Sequence, residues 1–577
     1  MSFDLNHTLM QIEPRIQPRV SGIAKHYAPL ILIALAVFAI FLRCSRLLDT
    51  TRYYIFGTDS YFFHWVAQRV MDGQGPPPDT SGANYTVHSG LAYPLAYLSK
   101  MVAYVFRVQD AQALTFMSKF LPPVLGVITL ILIYLVVSKI WNRRVGLFSA
   151  FAWAIMLHTV FLGNSGLIDR DGLNILLFTI GALVFHMSRG WHFRVGKRDV
   201  AWLLAGLLIL VVELLLYLEW VTHGAALLVL FLTIYVVLRL AMRYIALLRK
   251  EPNLARRIVA AGRAVDLRVF ALIIVVNLVV ILLNYQQAHE MLQRILDIIR
   301  LSTGEGATGI ASAETQGATL ISLLVAYQLF IIPMALGLYV TVKYRNDWSV
   351  FFSTWLVFFL LAGVVAFRLL FFAAPAACVV SAIGLDYLWN WRRQGNSQLA
   401  KSVAFAVLLV LLFSISILLT SSMNSEYRTS ANSDWQGAMT YLKDQTPEDA
   451  IVMTQYTHGY WILDMAQREP FVDPGYYASD AGKLQDVATA YATTDPSEAA
   501  TIMTEREVSY LIFARHDLSV ARFILSSSDL YTEYDAFPVD SLIARSINGE
   551  FVSGSGLSVV YKNDEVVILY LEQAGQK

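Results

Sequence analysis

The chain has 577 residues, of which 56% are hydrophobic, 13% are aromatic and only 15% are charged, and its mean hydropathy is +0.53. Soluble domains carry about 25% charged residues, so this composition excludes an ordinary soluble protein. Apolar runs of about 20 residues recur along the chain, and each is long enough to cross a bilayer. The composition therefore predicts a polytopic α-helical membrane protein that contacts the lipid bilayer.

Charge is divided unevenly between the two ends of the chain. Residues 422–577 contain 10 Lys and Arg against 23 Asp and Glu, whereas residues 1–421 contain 34 against 20. A basic, apolar part joined to an acidic, polar part indicates two environments, with the second part in water. Neither part has a basic patch interleaved with aromatic side chains, which argues against a nucleic-acid partner. The only cysteines, Cys44 and Cys378, lie in apolar runs, which excludes a disulfide framework.

The sequence predicts a cytoplasmic N-terminal tail over residues 1–26 and a membrane domain over residues 27–421. No small-residue cleavage site ends the first apolar run, so it is expected to remain as the first membrane helix. Hydropathy predicts about eleven spans in this domain. Their approximate bounds are 27–48, 114–138, 145–163, 172–188, 200–218, 222–242, 266–284, 318–342, 348–366, 369–390 and 399–421.

Lys and Arg collect in every second connection between these spans, and basic connections mark the cytoplasmic side. The opposite connections, residues 49–113, 164–171 and 285–317, are therefore predicted to be extracytoplasmic loops. An odd number of spans places residues 422–577 on that side as well. The protein is thus expected to be a multi-pass membrane protein whose outer loops and C-terminal part share the extracytoplasmic face.

Residues 422–577 are expected to form a small α/β domain. A helix is predicted from Ser433 to Lys443, with Ser433 as its N-cap. Alternating or continuous apolar runs predict strands, the last two of which are joined by a turn at Asn563-Asp564. The predicted strands are Ala450–Thr454, Ser509–Ala514, Val559–Tyr561 and Val566–Leu571.

Asp169 and Asp171 stand two residues apart in the second outer loop, directly before a predicted helix. In an extended segment, side chains two residues apart point to the same side. Such a pair can contribute oxygen ligands to Mg²⁺ or Mn²⁺ together with a substrate phosphate. The alternative is that both acids only stabilise the N-terminus of the helix, where negative charge meets the positive end of the helix dipole.

Three further ionisable residues fall on the same predicted outer surface. Asp59 begins an aromatic-rich segment, Glu314 lies in the long outer segment 285–317, and Arg368 stands between two nearly continuous apolar runs. Ionisable groups at membrane depth are costly and usually functional, and Arg can bind a phosphate bidentately. The alternative roles are a solvated acid, a helix cap and a helix-end anchor. His64, His158 and His223 form no i,i+4 pair and are expected to pack rather than to bind a metal.

Taken together and in this order, these motifs resemble those of the catalytic subunit of the oligosaccharyltransferases, which move a glycan from a polyprenyl carrier to asparagine. The segment from Phe56 to Tyr61 is similar to the family's first-loop acid motif, and Ser165 to Asp171 is similar to its Asp-x-Asp motif. Ala311-Ser312-Ala313-Glu314 resembles its glutamate motif, and Arg368 with the following Leu-Leu-Phe-Phe-Ala-Ala-Pro resembles its diphosphate-contacting region. The resemblance covers the chain from Arg43 to the C-terminus. It implies a GT-C-like architecture of about 11–13 transmembrane helices with the small C-terminal domain.

The acceptor motif departs from the family pattern. The family's Trp-Trp-Asp-Tyr-Gly falls where this chain has Gln455-Tyr456-Thr457-His458-Gly459, so the carboxylate that binds the Ser/Thr of the Asn-x-Ser/Thr sequon is replaced by Thr457. Asp517 and Ile524 match the ends of the adjoining motif, while Val520 stands where Lys or Met is usual. The residues that the resemblance assigns to the acceptor are Gln455, Tyr456, Thr457, His458, Asp517 and Ile524. Altered sequon recognition is therefore expected.

The resemblance implies metal-assisted inverting glycosyl transfer. Asp59, Asp169, Asp171 and Glu314 would hold Mn²⁺ or Mg²⁺, Asp59 and Glu314 would also orient the acceptor, and Arg368 would contact the lipid diphosphate. The implied partners are a polyprenyl-linked glycan and a protein or peptide. Two alternatives stay open, which are a polyprenol-dependent glycosyltransferase acting on a hydroxyl, lipid or glycan, and a transporter of lipid-linked sugar. A noncatalytic protein is disfavoured because all four acids are present.

Overall fold

The computed structural model describes residues 22–48, 53–75, 91–188, 230–239, 241–242, 318–344, 346–365, 367–393, 397–426, 431–474, 481–525, 536–550 and 556–572. Within these ranges, six helical segments are long and apolar enough to cross a membrane. They are Tyr27–Cys44, Asp110–Ile140, Leu320–Lys343, Asp347–Val364, Phe367–Trp391 and Gln398–Thr420. Each coincides with a predicted span.

Several predictions fall outside the described residues. These are the N-terminal tail up to residue 21, the predicted spans 200–218 and 266–284, most of the span 222–242, and the outer segment 285–317 with Glu314.

The described residues up to 188 form seven α-helices. They are α1 (Gly22–Cys44), α2 (Thr58–Met71), α3 (Ala92–Phe106), α4 (Asp110–Ile140), α5 (Arg143–Ile155), α6 (Leu157–Phe161) and α7 (Arg170–Ser188). The predicted outer loop 49–113 thus contains two helices, α2 and α3. Helix α2 is the more buried of the two because aromatic and aliphatic side chains cover most of its circumference.

Among the described residues, the later membrane part contains a short helix α8 (Leu230–Arg239) and five further α-helices. They are α9 (Leu320–Tyr327), α10 (Ile331–Tyr344), α11 (Asp347–Val365), α12 (Ala374–Trp391) and α13 (Gln398–Glu426). Helix α12 lies at the centre of this part, and its first twelve residues are all buried. Five of these twelve residues are Ala or Gly, and α12 packs against α5, α10 and α11. Small side chains allow such close packing between membrane helices.

The span predicted over residues 145–163 is divided into two helices. Helix α5 ends at Ile155, α6 begins at Leu157, and Met156 between them is extended, with φ −60° and ψ 125°. A break of this kind frees backbone carbonyls, which cannot be satisfied by lipid. The guanidinium of the fully buried Arg43 donates to the carbonyls of Trp153 (3.1 Å), Ala154 (3.3 Å) and Thr159 (3.0 Å). The arginine at the end of α1 thereby stabilises the break.

The C-terminal part forms a mixed five-stranded sheet with helices around it. Its strands are β1 (Ile451–Met453), β2 (Glu469–Pro470), β3 (Tyr510–Ala514), β4 (Leu557–Lys562) and β5 (Val566–Leu571). Its helices are α14 (Ser433–Gln445), α15 (Gly459–Trp461), α16 (Ala481–Ala492), α17 (Pro496–Glu505), α18 (Arg515–Ser519), α19 (Ala521–Leu525) and α20 (Leu542–Asn548). The strand order is β2-β1-β3-β5-β4, with β1 parallel to β2 and β3, and β5 antiparallel to β3 and β4.

This arrangement confirms the predicted fold class, a multi-pass helical membrane protein with a small α/β part at its C-terminal end. All five side chains of β3 are buried, because this central strand is covered on both faces. One local prediction is wrong. The N-cap of α14 is Asn432 rather than Ser433, since the Asn432 side chain accepts the N–H of Trp435.

Replacing Arg43 by Met is expected to destabilise the protein. The side chain would keep its volume but no longer donate to the carbonyls of Ala154 and Thr159, and each buried acceptor left without a donor costs about 1–3 kcal/mol. The carbonyl of Trp153 would still accept from the Thr159 hydroxyl. Thermal unfolding in detergent should occur at a clearly lower temperature. Arg143→Met, which removes an exposed arginine at the start of α5, is the matched control and should leave the transition unchanged. Equal effects of the two substitutions would contradict this role of Arg43.

Candidate functional site

The segment before Asp59 contacts the segment before Asp169 at two glycines, Gly57 and Gly166. The N–H of Phe56 donates to the carbonyl of Gly166 at 2.9 Å. A Cβ on Gly166, whose φ is +78°, would lie 1.9 Å from the carbonyl oxygen of Tyr54. A Cβ on Gly57, whose φ is +81°, would lie 2.9 Å from the Leu167 side chain. Glycine is needed at both positions, so the loop before Asp59 can pack directly against the loop before Asp169.

The chain on either side of these glycines positions the first acids. Asp59 is half-buried in the first turn of α2, and Asp171 is in the first turn of α7. A backbone hydrogen bond also fixes the loop before α7, because the N–H of Ser165 donates to the carbonyl of Arg43 at 3.0 Å. The buried arginine thus holds both the break between α5 and α6 and the loop that carries Asp169.

Arg368 lies against the Asp-x-Asp pair. Its Nη2 donates to both carboxylate oxygens of Asp171, each at 3.2 Å, and lies 3.9 Å from an oxygen of Asp169. The three residues come from α7, the loop before it and the 3₁₀ segment Phe367–Ala373. Their side chains are 29%, 21% and 11% exposed for Arg368, Asp169 and Asp171, so the cluster is screened from water but open to a ligand. Two acids and one arginine predicted from sequence are therefore brought together.

Glu314, the fourth predicted acid, is not among the residues that the structure describes. Within the part of the chain that the structure describes, no three His, Cys, Asp or Glu side chains are grouped closely enough to hold a metal ion. The oxygens of Asp169 and Asp171 are nonetheless the hard donors that Mg²⁺ and Mn²⁺ prefer. The chemistry of this donor pair therefore fits a divalent cation supplied with further ligands.

The altered acceptor motif forms the connection between β1 and α15. The side chains of Tyr456 and Thr457 are partly exposed, whereas Gln455 and His458 are buried. The Thr457 hydroxyl donates to the side-chain carbonyl of Gln455. His458 lies between Trp435 and Trp461, with ring centroids 4.4 and 5.0 Å away, and burial lowers its pKa to about 3. His458 is thus a neutral core residue, and the surface of this motif is made by Tyr456 and Thr457.

Asp517 is connected to the same motif through Tyr491. The Tyr491 hydroxyl accepts the N–H of Gln455 at 2.9 Å and lies 3.4 Å from Oδ2 of Asp517. Asp517 is fully buried at the start of α18, where Oδ2 accepts the N–H of Ala514 at 3.0 Å. Burial raises the pKa of this carboxyl to about 7. Ile524 is only 4% exposed and packs in the core of the C-terminal part.

Helix α2 joins the two parts of the protein. Phe62 packs on Tyr460 at a centroid distance of 5.0 Å, and Tyr61 packs on Trp461 at 5.7 Å. The Tyr61 hydroxyl also accepts the N–H of Ala431 at 3.2 Å. The helix that carries Asp59 is therefore covered by the residues that follow the acceptor motif. The aromatic pattern of this segment did not predict its cover, because the sequence alone does not show which residues pack on it.

Comparisons with known proteins agree with the motifs. Residues 263–518 match the model of a family described as Dpy19, Q-cell neuroblast polarisation. The chain is 24% identical over 254 residues to the Caenorhabditis elegans dolichyl-diphosphooligosaccharide–protein glycosyltransferase subunit stt-3, a match that covers 35% of this chain and 33% of the relative. The chain thus matches about a third of the length of this curated relative.

Solved structures match over most of the chain. The archaeal oligosaccharyltransferase AglB of Archaeoglobus fulgidus, in complex with an inhibitory peptide and a dolichol-phosphate, is 14% identical with a TM-score of 0.71, covering 94% of this chain and 80% of that one. Another structure of that enzyme, with Zn and sulfate, is 15% identical with a TM-score of 0.60 and covers 86% and 70%. ArnT of Cupriavidus metallidurans, bound to undecaprenyl phosphate, is 11% identical with a TM-score of 0.51 and covers 94% and 98%.

The relatives and the shared fold confirm the resemblance to the oligosaccharyltransferases and the predicted GT-C-like architecture. At 11–15% identity, the structural likeness concerns the fold.

Asp517 is expected to make the stability of the C-terminal part depend on pH. Between about pH 4 and pH 7 the folded state holds a proton on this carboxyl that the unfolded chain has released, so the contribution of Asp517 to the free energy of unfolding falls as pH rises through this window and is level above it. The lowered pKa of His458 contributes with the opposite sign between about pH 3 and pH 6.5. Asp517→Asn should remove only the falling contribution, because the amide oxygen can still accept the N–H of Ala514, and the free energy of unfolding of this variant should rise more steeply from pH 4.5 to pH 6. Tryptophan fluorescence during thermal unfolding at pH 4.5, 6 and 7.5 measures it.

Asp444→Asn is the control for this measurement, since Asp444 is an exposed acid at the end of α14. It should behave as the unsubstituted protein does. A pH profile unchanged by Asp517→Asn would contradict the raised pKa.

Proposed function

We propose that this protein is a membrane glycosyltransferase that moves a glycan from a polyprenyl-(di)phosphate carrier to a protein acceptor, an asparagine with altered sequon recognition. The observation that carries the proposal is the cluster of Arg368 with Asp169 and Asp171, which offers a phosphate-binding guanidinium beside two carboxylates. The archaeal oligosaccharyltransferase that shares the fold binds a peptide and a dolichol-phosphate, which supports both the donor and the acceptor class.

Arg368 has the geometry for binding a lipid phosphate. Its side chain is partly exposed, and its Nη2 now donates to the two oxygens of Asp171. Phosphate oxygens arriving with the carrier compete for the same donor, and an arginine–phosphate pair is strengthened by its planar, two-pronged hydrogen bonding. Binding of the donor would thus release the Asp171 carboxylate within the site.

Asp59, Asp169, Asp171 and Glu314 would hold the divalent ion, Mn²⁺ or Mg²⁺, although Glu314 lies outside the described residues. When bound, such an ion offsets negative charge on the diphosphate leaving group. Arg368 adds a fixed positive charge at the same place. Asp59 and Glu314 would also orient the acceptor nitrogen by hydrogen bonds, which raises its nucleophilicity and holds it in line for inverting transfer.

The site would face the extracytoplasmic side. The Lys- and Arg-rich connections alternate with the loops that carry Asp59, Asp169 and Glu314, and the acidic residues 422–577 follow an odd number of predicted spans. The membrane domain 27–421 and the domain 422–577 would then form the donor half and the acceptor half of one outer surface.

A second candidate is a polyprenol-dependent transferase that acts on a hydroxyl, lipid or glycan. The specific observation in its favour is the acceptor motif, where the partly exposed Thr457 stands in place of a carboxylate and donates to Gln455. ArnT, which binds undecaprenyl phosphate, shares the fold over nearly the whole of both chains. A lipid acceptor would therefore suit the same framework.

Substitutions in the cluster should abolish transfer. Asp171→Asn and Arg368→Gln are expected to lower the transfer rate by about 100-fold or more, because each removes charge that acts where the leaving group develops its own. Chelation with EDTA should stop the unsubstituted protein, and Mn²⁺ should restore it but not Asp171→Asn. Transfer of a labelled glycan from a polyprenyl diphosphate to peptide measures this.

Two controls make that test specific. Arg368→Lys keeps the charge but not the two-pronged geometry and should retain intermediate activity. Arg393→Gln removes an exposed arginine at the end of α12 and should leave activity unchanged. Full activity in EDTA would refute the metal-assisted mechanism, and full activity of Arg368→Gln would refute the phosphate contact.

Acceptor selectivity should be weak at the second residue after the accepted asparagine. A peptide with Asn-x-Thr and one with Asn-x-Ala are expected to differ in transfer rate by less than about tenfold, because Thr457 supplies no carboxylate for the acceptor hydroxyl. Thr457→Asp should favour the Thr peptide. A strong preference in the unsubstituted protein would contradict the prediction, and transfer to lipid but to neither peptide would establish the second candidate.

A further inference from the structure

A hydrogen-bonded chain of three polar side chains, two of them buried, connects the two parts of the protein. Nδ1 of His64 on α2 lies 2.6 Å from Oδ1 of Asp464, which belongs to the π-helical turn Ile462–Ala466 of the C-terminal part. Nε2 of the same ring lies 3.0 Å from the hydroxyl of Tyr54. His64 is 7% exposed and Asp464 is 6% exposed. The two residues are 400 positions apart in the sequence, so only the fold brings them together.

The chemistry of the three side chains determines which group donates in each of the two hydrogen bonds. A carboxylate can only accept, so Nδ1 of His64 carries the proton that faces Asp464. In that tautomer Nε2 is an acceptor, and the Tyr54 hydroxyl donates a hydrogen bond to it. Oδ2 of Asp464 is buried and has no hydrogen-bond partner among the described residues. The carboxylate of Asp464 is therefore connected to the outer loops through the ring of His64.

Each end of the chain meets one half of the candidate site. Asp464 lies in the turn that follows α15, a few residues after the acceptor motif. His64 shares α2 with Asp59, and Tyr54 belongs to the segment that packs on Gly166 and so on the loop before Asp169. A shift of the C-terminal part would thus be transmitted to both predicted carboxylate positions.

We propose that His64 is a positioning residue that, through Asp464 and Tyr54, couples the acceptor-binding part to the carboxylates that act on the donor. This inference rests on the proposed function. Aromatic contacts such as Phe62 with Tyr460 hold α2 under the C-terminal part but tolerate sliding. A short hydrogen bond to a carboxylate fixes distance and direction, which α2 needs if Asp59 is to be held in register with Asp169.

The first test measures coupling without any activity. Hydrogen–deuterium exchange of the full chain in lipid nanodiscs is compared for Tyr54→Phe, Asp464→Leu, which removes the acceptor of the His64 Nδ1–H at similar volume, and the unsubstituted protein. Amides of residues 53–60 and 164–169, including those of Phe56 and Ser165, should exchange about tenfold faster in both variants, while α12 and β3 remain protected. Tyr97→Phe, which removes a hydroxyl from an exposed ring on α3, is the matched control and should not change exchange.

The second test measures catalysis with the same variants. The expected result is a kcat lowered about tenfold with the KM for the lipid-linked donor within about twofold, because donor contacts are intact but the carboxylates are misaligned. His64→Gln should behave like Asp464→Leu, since each substitution breaks the hydrogen-bonded link between residue 464 and the Tyr54 hydroxyl.

The two tests distinguish a failure of the proposed function from a failure of the proposed coupling. If no transfer is observed with the unsubstituted protein, the proposed function fails, and the exchange data alone decide the coupling. Unchanged exchange in residues 53–60 and 164–169 would overturn the inference. It would also be overturned if exchange rose uniformly over the whole protein, or if the local increase left kcat unaltered.

Discussion

The arrangement of the loop that carries Asp169 depends on one buried arginine. Arg43 ends the first described helix, and its guanidinium satisfies the carbonyls exposed where α5 and α6 separate. Its own carbonyl accepts the N–H of Ser165, which begins the loop leading to Asp169. Arg43 therefore stabilises the break between α5 and α6 through its side chain, and the loop that carries Asp169 through its backbone carbonyl. In a bilayer this is an exacting combination, since a carbonyl that loses its helical donor has no solvent to replace it.

Helix α2 is the second constraint, because it belongs to both parts of the protein. It carries Asp59 at its start, is tied to the Gly166 loop by the segment before it, and is covered by Tyr460 and Trp461 of the C-terminal part. Elements of the membrane part and of the C-terminal part are thus in contact through one short helix. The proposed transfer from a lipid-borne donor to a soluble acceptor would need such a junction, where both could be held against the same carboxylates.

Local sequence patterns predicted a good deal of this. The apolar runs gave the six described spanning helices, the Asn563-Asp564 turn gave the β4–β5 hairpin, and Asp169, Asp171 and Arg368 meet in space as the motif order implied. The break at Met156 was missed because its cause, Arg43, lies more than a hundred residues away. The inward position of His458 and its packing between Trp435 and Trp461 were missed for the same reason. Tertiary contacts of this kind leave no periodic signal in the chain.

Arg43 also imposes an order on biogenesis. Polypeptides emerge with the N-terminal segments first, so α1 enters the membrane before the carbonyls of Trp153, Ala154 and Thr159 have been made. An isolated guanidinium in hydrocarbon is costly, and at a helix end it reaches instead for the headgroups. The guanidinium of Arg43 can reach these carbonyls only after α5 and α6 have followed α1. Its contacts therefore form as a docking step between helices rather than at the insertion of α1.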